Sequence, residues 1–214
     1  GVLLTTTLAI ITICRFEISA SSTFDMGIFA QMYYNLRENF NLNTTCERQE
    51  LLSHLHVHTS LIYYLFWPIY MIFPHTETLL ILQALSVGIG VLPLYLLSDK
   101  IGFNKTECVI ISLIYALSPA AFGGVFYDFH ENVFLIPLLL FLFYSYESDR
   151  LIPTIIFSIA VCAVKEDATL FVIVLGMYSI ISRRSVKKGI IITLIGLIAM
   201  AIAFSYISKY GNGL

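Results

Sequence analysis

The chain has 214 residues, of which 58% are hydrophobic and only 12% are charged. Soluble domains are about 45–50% apolar and about 25% charged, so this composition excludes an ordinary soluble protein. The formal net charge of −2 provides no basic surface, which excludes nucleic acid as a partner. We therefore expect an all-α polytopic membrane protein whose main partner is the lipid bilayer.

Eight apolar runs follow one another along the chain, and several approach the ~20 residues that a membrane-spanning helix needs. They cover residues 1–14, 59–73, 78–98, 107–125, 133–146, 151–164, 168–182 and 189–207. We predict about seven transmembrane helices, with every run except 59–73 crossing the bilayer. Because the sequence starts without Met and ends just after an apolar run, we expect residues 1–214 to be one transmembrane domain cut from a longer chain.

The basic residues predict the orientation, because short cytoplasmic loops are enriched in Lys and Arg. Seven of the 12 Lys and Arg residues fall in three connections, at 99–106, 147–150 and 183–188. Placing these connections in the cytoplasm makes the others outer connections. The predicted outer segments are a long first loop, 15–77, and two short turns at 126–132 and 165–167.

The run 59–73 allows two topologies. If it crosses the bilayer, the three basic connections stay together, but residues 15–58 move to the cytoplasmic side. Basic residues alone leave this version open. The short run contains Pro68, ends before Pro74 and carries Trp67, features that favour a helix lying in the membrane interface.

Residues 25–38 of the first loop are predicted to form a second juxtamembrane helix. Ile28, Met32 and Leu36 recur on one stripe, as in an amphipathic helix. The residues that could cap this helix are Ser21, Ser22 and Thr23. Asp25 has two interpretations that spacing alone does not separate, since its carboxylate could be a helix cap or a catalytic or metal-binding group.

Three histidines alternate at the end of the first loop. His54, His56 and His58 would share one face of a strand, and His54 and His58 would share one face of a helix, as metal ligands often do. Polar residues at the membrane interface are the alternative interpretation. Glu47 and Glu50 are near enough in sequence to join either arrangement.

Two further charged segments interrupt the apolar sequence. Residues 127–132 place Tyr, Asp, His, Glu and Asn in one short turn, where ionisable groups are costly unless they are solvated or paired. Lys165, Glu166 and Asp167 divide an apolar stretch of 32 residues, 151–182, which is too long for one span of ~20 residues. Each segment is either a solvated turn or part of a functional cluster. On the predicted topology both share the outer face with Asp25 and the histidines, which favours one outer active site.

Several segments resemble one family, the predicted membrane proteins called domain of unknown function 2079. The segments are Phe24–Gln31, His58–Ser60, Pro68–Tyr70, Leu79–Ala84, Tyr127–His130 and Val164–Asp167. The resemblance covers nearly the whole chain. That family looks related to the C-type glycosyltransferases, polytopic enzymes that take a sugar from a polyprenyl-phosphate carrier.

The resemblance implies a role for residues at the matching positions. Asp25 would be the catalytic acid of the first outer loop and Asp128 the acid of the second, while Lys165 would lie near the lipid phosphate. The shared outer face, and not the resemblance, is the reason to expect further residues to bind substrate or brace the site: His58, His130, Glu131, Glu166 and Asp167. A divalent metal is left open as a cofactor, with Asp25, His54, His56 and His58 as candidate ligands.

The leading hypothesis is a glycosyltransferase-like protein that uses a polyprenyl-phosphate sugar donor on the extracytoplasmic face of a prokaryotic plasma membrane. The alternative is a non-enzymatic transporter or lipid-binding membrane protein, whose outer charges pair with each other and bind a solute without bond cleavage. A catalytically inactive scaffold of the same fold is a third hypothesis that the sequence does not separate from the first.

Overall fold

The computed structural model describes residues 1–20, 23–48 and 50–211, and helices dominate it. The α-helices are α1 (Val2–Glu17), α2 (Thr23–Asn39), α3 (Tyr63–Ile72), α4 (Thr76–Lys100), α5 (Lys105–Leu117), α6 (Pro119–Phe122), α7 (Leu135–Glu147), α8 (Leu151–Cys162), α9 (Thr169–Ile181) and α10 (Val186–Tyr210). Short 3₁₀ helices cover His54–His56, Gly123–Phe126 and Glu131–Phe134. The predicted all-α class is confirmed.

The lengths of the apolar helices set how many can cross a bilayer unaided. Within the described ranges, α4 and α10 are long and apolar enough, at 25 residues each. A third candidate is α5 together with residues 119–126, a pair bent by 56°. Helices α7, α8 and α9 have 12 or 13 residues, which at about 1.5 Å per residue gives roughly 20 Å, short of a hydrocarbon core of about 30 Å. The structure thus provides two or three candidate spans, fewer than the seven predicted.

The first loop folds into two helices and a small strand pair. The buried residues Met32 and Leu36 confirm the predicted apolar stripe of α2, which packs on α3 through Tyr33 and Tyr70, with ring centroids 5.1 Å apart. Helix α3 has 10 residues and is not among the candidate spans. The caps predicted at Ser21 and Ser22 lie outside the described residues.

Between these helices, the strands β1 (Asn43–Thr44) and β2 (Leu52–Ser53) pair antiparallel, with Asn43 opposite Ser53 and Thr44 opposite Leu52. The pairing continues into the 3₁₀ helix, since the backbone N–H of His54 donates to the carbonyl of Leu42 at 2.8 Å. This ladder fixes where the histidine segment starts.

Glycines allow α9 and α10 to approach closely. A Cβ placed on Gly189 would lie 2.7 Å from the carbonyl oxygen of Gly176, and one on Gly196 would lie 3.1 Å from the backbone nitrogen of Ile173. Small residues at such contacts let helices pack backbone to backbone in a membrane.

The helices end in two groups of polar residues, one at each end of α10. At its start, Lys188 pairs with Asp149 and Arg184 pairs with Glu147. At its other end, the ring of Tyr210 stacks on His56, with centroids 6.0 Å apart. Connections 147–150 and 183–188 therefore meet at one end, and the histidine segment of the first loop lies at the opposite end.

Candidate functional site

A glutamine from α4 holds the turn that carries the central acidic residues. Gln83 is fully buried, and its amide group donates to the backbone carbonyl of Asp128 at 3.3 Å. Its amide oxygen accepts the backbone N–H of His130 at 2.9 Å. One side chain thus satisfies two backbone groups of an irregular turn, which a buried turn requires.

Several charged side chains from the first loop and the turns at 127–132 and 165–167 form one group, which we call the cluster: Asp25, His58, Asp128, His130, Glu131, Lys165 and Glu166. Glu131 is its most enclosed acid. The Tyr63 hydroxyl donates to its Oε2 at 2.7 Å, and Lys165 Nζ lies 3.2 Å from its Oε1. His130 Nδ1 lies 3.3 Å from Oε2. Burial raises the pKa of Glu131, but His130, Lys165 and the Tyr63 hydrogen bond outweigh burial and lower that pKa. Glu131 is therefore a carboxylate held by the Lys165 ammonium and the Tyr63 phenol, with the His130 ring beside it.

The His130 imidazole favours its uncharged form, whereas Glu131 favours its charged form. Burial lowers the pKa of the His130 imidazole; the acids Glu131 and Asp25 raise it, while Lys165 and His58 lower it further. The net effect is a lowered pKa, which favours the neutral ring. Consistently, Nδ1 accepts the backbone N–H of Asn132 at 3.4 Å.

Glu166 forms a second ionic contact, between the turn at 165–167 and the end of the first loop. Its Oε1 lies 2.9 Å from His58 Nδ1, and its Oε2 accepts the backbone N–H of Thr59 at 3.0 Å. Burial raises the pKa of Glu166, but hydrogen bonds from His58, from its own backbone and from Thr59 lower it to about 2. These contacts tie the turn at 165–167 to the end of the first loop.

Asp25 approaches the cluster from the first turn of α2. It is the third residue of that helix and so lies inside the first turn, not at the N-cap position. The Tyr127 hydroxyl donates to the Asp25 carboxylate, and this hydrogen bond raises the pKa of Tyr127. Asp25 is half-exposed and also acts on the His130 ring. The sequence predicts Asp25 and Asp128 as the catalytic pair, and Asp25 is the accessible carboxylate of the two.

Asp128 and Asp167 differ from Asp25 in their surroundings. Asp128 is buried, and its charge contributes to the raised pKa of Tyr127. Asp167 is exposed, and its backbone carbonyl accepts the N–H of Leu170 at 3.1 Å. Asp128 is therefore packed beneath the site, whereas Asp167 helps to form the turn leading into α9.

The three alternating histidines have separate partners, because His54–His56 is a 3₁₀ helix and not the strand or α-helix expected from spacing. Both ring nitrogens of His54 are engaged, by Glu47 and by Tyr63. His56 stacks on Tyr210, and His58 contacts Glu166, as described above. The histidines do not fit a common metal site, and the part of the chain that the structure describes contains no group of three His, Cys, Asp or Glu side chains placed to hold a metal ion. A divalent metal cofactor stays a prediction.

Two hollows adjoin the cluster. A cavity of about 330 Å³ is lined by Tyr127, His130 and Asn132 together with small and apolar residues. A larger, apolar groove of about 1030 Å³ lies between α1, α4 and α5. Residues 119–126 contribute to both, since Gly124 faces the cavity while Phe122 and Phe126 face the groove. The cavity lined by His130 and the apolar groove thus share one wall.

The arrangement combines the partly exposed carboxylate of Asp25 and the ammonium of Lys165 with an imidazole, His130, that lines a cavity. Asp25 can accept a proton or a hydrogen bond, and Lys165 can neutralise an anionic group that enters next to it. A proton acceptor and a cation are both needed in a group-transfer reaction, in which a hydroxyl attacks a carbon or phosphorus atom and an anionic group departs.

Sequence reasoning missed two residues that organise the site. Gln83 is the one amide side chain in the apolar run 78–98, which was a usable signal because a buried polar group needs partners. Tyr63 sits among the aromatic residues of the run 59–73, and nothing local distinguishes it from its neighbours.

Comparison with known proteins gives one match. The family described as "Predicted membrane protein (DUF2079)" matches residues 19–212. No curated protein and no solved structure matches the chain.

Proposed function

We propose, from the premise that this chain belongs to the DUF2079 family of predicted membrane proteins, that it transfers a sugar from a polyprenyl-phosphate carrier to an acceptor. The observation that carries the proposal is the meeting of Asp25, His130, Glu131 and Lys165 at one end of the helices, beside the cavity. The seven-span topology, the C-type glycosyltransferase-like fold and the location on the outer face of a prokaryotic plasma membrane belong to the same proposal.

Donor binding would use both hollows. A polyprenyl chain is apolar and must stay out of water, whereas its phosphate needs cationic or hydrogen-bonding partners. We place the polyprenyl chain of the donor along the apolar groove and its phosphate next to Lys165 and His130. The shared wall at 119–126 supports this, because it brings the apolar groove close to the cavity that His130 lines.

The reaction would form one bond and break one bond at the anomeric carbon of the sugar. The acceptor hydroxyl gives its proton to Asp25, and its oxygen bonds to the anomeric carbon. The bond from that carbon to the carrier phosphate oxygen breaks, and polyprenyl phosphate departs with the electron pair. Lys165 stabilises the negative charge on the phosphate. Asp128 supports the Tyr127 turn, and His58, Glu166 and Asp167 brace the loop that carries Lys165.

The test uses the full-length protein in vesicles that contain polyprenyl-phosphate sugars, with release of polyprenyl phosphate as the readout. Asp25→Asn should reduce turnover by about 100-fold or more, the usual effect of losing a general base. Glu38→Gln is the matched control, because Glu38 is exposed near the other end of α2. Turnover by Asp25→Asn at the wild-type rate would remove the central role of this residue.

A non-enzymatic transporter or lipid-binding protein is the second candidate. The observation in its favour is that acids of the cluster already have cationic or imidazole partners, as in Glu131–Lys165 and Glu166–His58. Such a protein would bind polyprenyl phosphate, and Lys165→Gln would weaken binding, but the wild-type protein would release no sugar from any donor. Binding with turnover supports the first candidate, and binding without turnover supports the second.

The outer location has its own test. Single cysteines at positions 25 and 167, in an otherwise cysteine-free full-length protein, should react with an impermeant thiol reagent applied from outside intact cells. A cysteine at exposed position 187, at the opposite end of the helices, should react only after permeabilisation. The reverse pattern would place the cluster in the cytoplasm and exclude an extracytoplasmic reaction.

A further inference from the structure

A row of hydrogen-bonded side chains runs from the first loop to the buried acid of the site. Glu47 Oε2 lies 2.9 Å from His54 Nδ1, and His54 Nε2 lies 3.2 Å from the Tyr63 hydroxyl oxygen. That hydroxyl lies 2.7 Å from Glu131 Oε2. All four residues are at most 8% exposed. The row runs through the protein interior and links the first loop to the turn at 127–132.

Each hydrogen bond in this row needs one N–H or O–H donor, and this requirement determines how many protons the row holds. Tyr63 has one hydroxyl proton, and when Tyr63 donates it to the Glu131 carboxylate, the bond to His54 needs a proton on Nε2. His54 Nδ1 faces the Glu47 carboxylate and needs a proton as well. With Glu47 and Glu131 both ionised, His54 is therefore a doubly protonated imidazolium.

The same protons fit a second arrangement. If Glu131 is protonated, it donates to the Tyr63 oxygen, and Tyr63 donates to a neutral Nε2 of His54. Nδ1–H continues to donate to Glu47. The two arrangements have identical heavy-atom contacts and differ only in whether His54 or Glu131 carries the extra proton.

We propose that Glu47, His54 and Tyr63 form a buried proton relay that exchanges one proton with Glu131. The Nε2 proton of His54 passes to the Tyr63 oxygen, and the Tyr63 hydroxyl proton passes to Glu131. One N–H bond is replaced by one O–H bond, and no proton comes from or goes to solvent. Tyr63 returns to its starting protonation state in either direction.

The charged groups next to Glu131 and next to His54 determine which of these two residues holds the extra proton. The Lys165 ammonium lies next to Glu131 and favours its carboxylate form. At the other end, Glu47 faces His54, and the ring of His58 lies 5.8 Å from the ring of His54. His58 is in turn paired with Glu166. While Lys165 stays on Glu131, the extra proton rests on His54.

An anion that attracts Lys165 would reverse this preference. The link to a carrier phosphate, described next, rests on the proposed function, whereas the proton relay itself does not. When a carrier phosphate attracts Lys165, Glu131 loses its cation and takes the proton from His54. This removes one negative charge next to the incoming phosphate, so that phosphate binding and proton movement are coupled.

The test reads the charge of His54 directly, by ¹⁵N NMR of histidine-labelled full-length protein in phosphate-free micelles. The His54 signals are assigned by their loss in His54→Gln. In the wild-type protein at neutral pH, both nitrogens should be protonated. In Lys165→Gln, His54 should become predominantly neutral with its proton on Nδ1.

Removing the link should prevent this change. Adding Tyr63→Phe to Lys165→Gln should leave His54 charged, because no hydroxyl connects it to Glu131. Tyr34→Phe in the same background is the matched control, since Tyr34 is an exposed tyrosine of α2, and it should leave the change intact. The relay is overturned if His54 has the same charge in the wild-type protein and in Lys165→Gln, or if Tyr63→Phe has no effect.

Two measurements keep this outcome separate from folding and from catalysis. Tyr63→Phe retains the ring that packs against Phe29 and Tyr33, and size-exclusion chromatography reports whether the variants are folded. If the double variant does not fold, the infrared carbonyl band of a protonated carboxyl should appear in Lys165→Gln and vanish when Glu131→Gln is added. Absence of that band overturns the relay. Neither readout requires sugar transfer, so a failed turnover assay leaves this test intact.

Discussion

Lys165 Nζ lies 3.2 Å from Glu131 Oε1, and this contact joins two turns that are 34 residues apart in the sequence. The side chain of Glu131 is 1% exposed and that of Lys165 is 13% exposed. A buried ion pair adds little to stability compared with apolar residues of the same size, but loss of one partner leaves an uncompensated charge. The pair therefore makes the position of each turn dependent on the other.

Lys165→Gln should lower the free energy of unfolding by about 3–5 kcal/mol if Glu131 stays charged, and by less if Glu131 takes up a proton. The measurement is denaturant-induced unfolding in micelles. Lys105→Gln is the matched control, because Lys105 pairs with Asp99 between exposed side chains and such surface pairs contribute little to stability. Equal effects of the two substitutions would show that the Lys165 pair has no special importance.

Gln83→Leu should loosen the turn that presents His130. Leu has a similar size, but it leaves the backbone carbonyl of Asp128 and the N–H of His130 without their partner, at a cost of roughly 1–3 kcal/mol. Amide hydrogen exchange at His130 should become faster. Leu85→Ala on the exposed face of α4 is the control and should leave exchange at His130 unchanged. Unchanged protection in Gln83→Leu would mean that other contacts hold the turn.

Gly189→Ala should destabilise the contact between α9 and α10. The added Cβ would lie 2.7 Å from the carbonyl oxygen of Gly176, which requires the backbones to move apart. Overpacking of this kind costs about 1–3 kcal/mol. Gly123→Ala is the control, because nothing lies within 4 Å of its Cβ position. A Gly189→Ala protein as stable as Gly123→Ala would show that the two helices separate at little cost.

The helices of the apolar runs were predictable because their signal is local. Hydrophobic runs and the stripe of Ile28, Met32 and Leu36 require only neighbouring residues. The number of spans was harder, because composition does not show where a helix ends. The apolar stretch 151–182 is divided at 165–167 into helices of 12 and 13 residues.

The candidate site was predictable as a set of charged positions but not as a set of contacts. The charges at 127–132 and 165–167 stand out because ionisable residues are rare in apolar sequence. Their partners depend on tertiary packing, as the separation of His54, His56 and His58 shows. Their alternating spacing suggested one shared face, yet the 3₁₀ turn directs each ring to a different neighbour.

Acid should weaken the contact between Glu166 and the first loop. The pKa of Glu166 is lowered from near 4.5 to about 2, so an unfolded chain binds a proton here at a higher pH than the folded one does. The stabilisation is therefore complete above about pH 4.5 and is lost as the pH falls through about 2. Glu166→Gln should flatten this part of the curve of unfolding free energy against pH. The matched control is the neighbouring Asp167→Asn, at an exposed position, which should leave the curve unchanged. A Glu166→Gln curve identical to the wild-type curve would show that another acid governs the loss of stability at low pH.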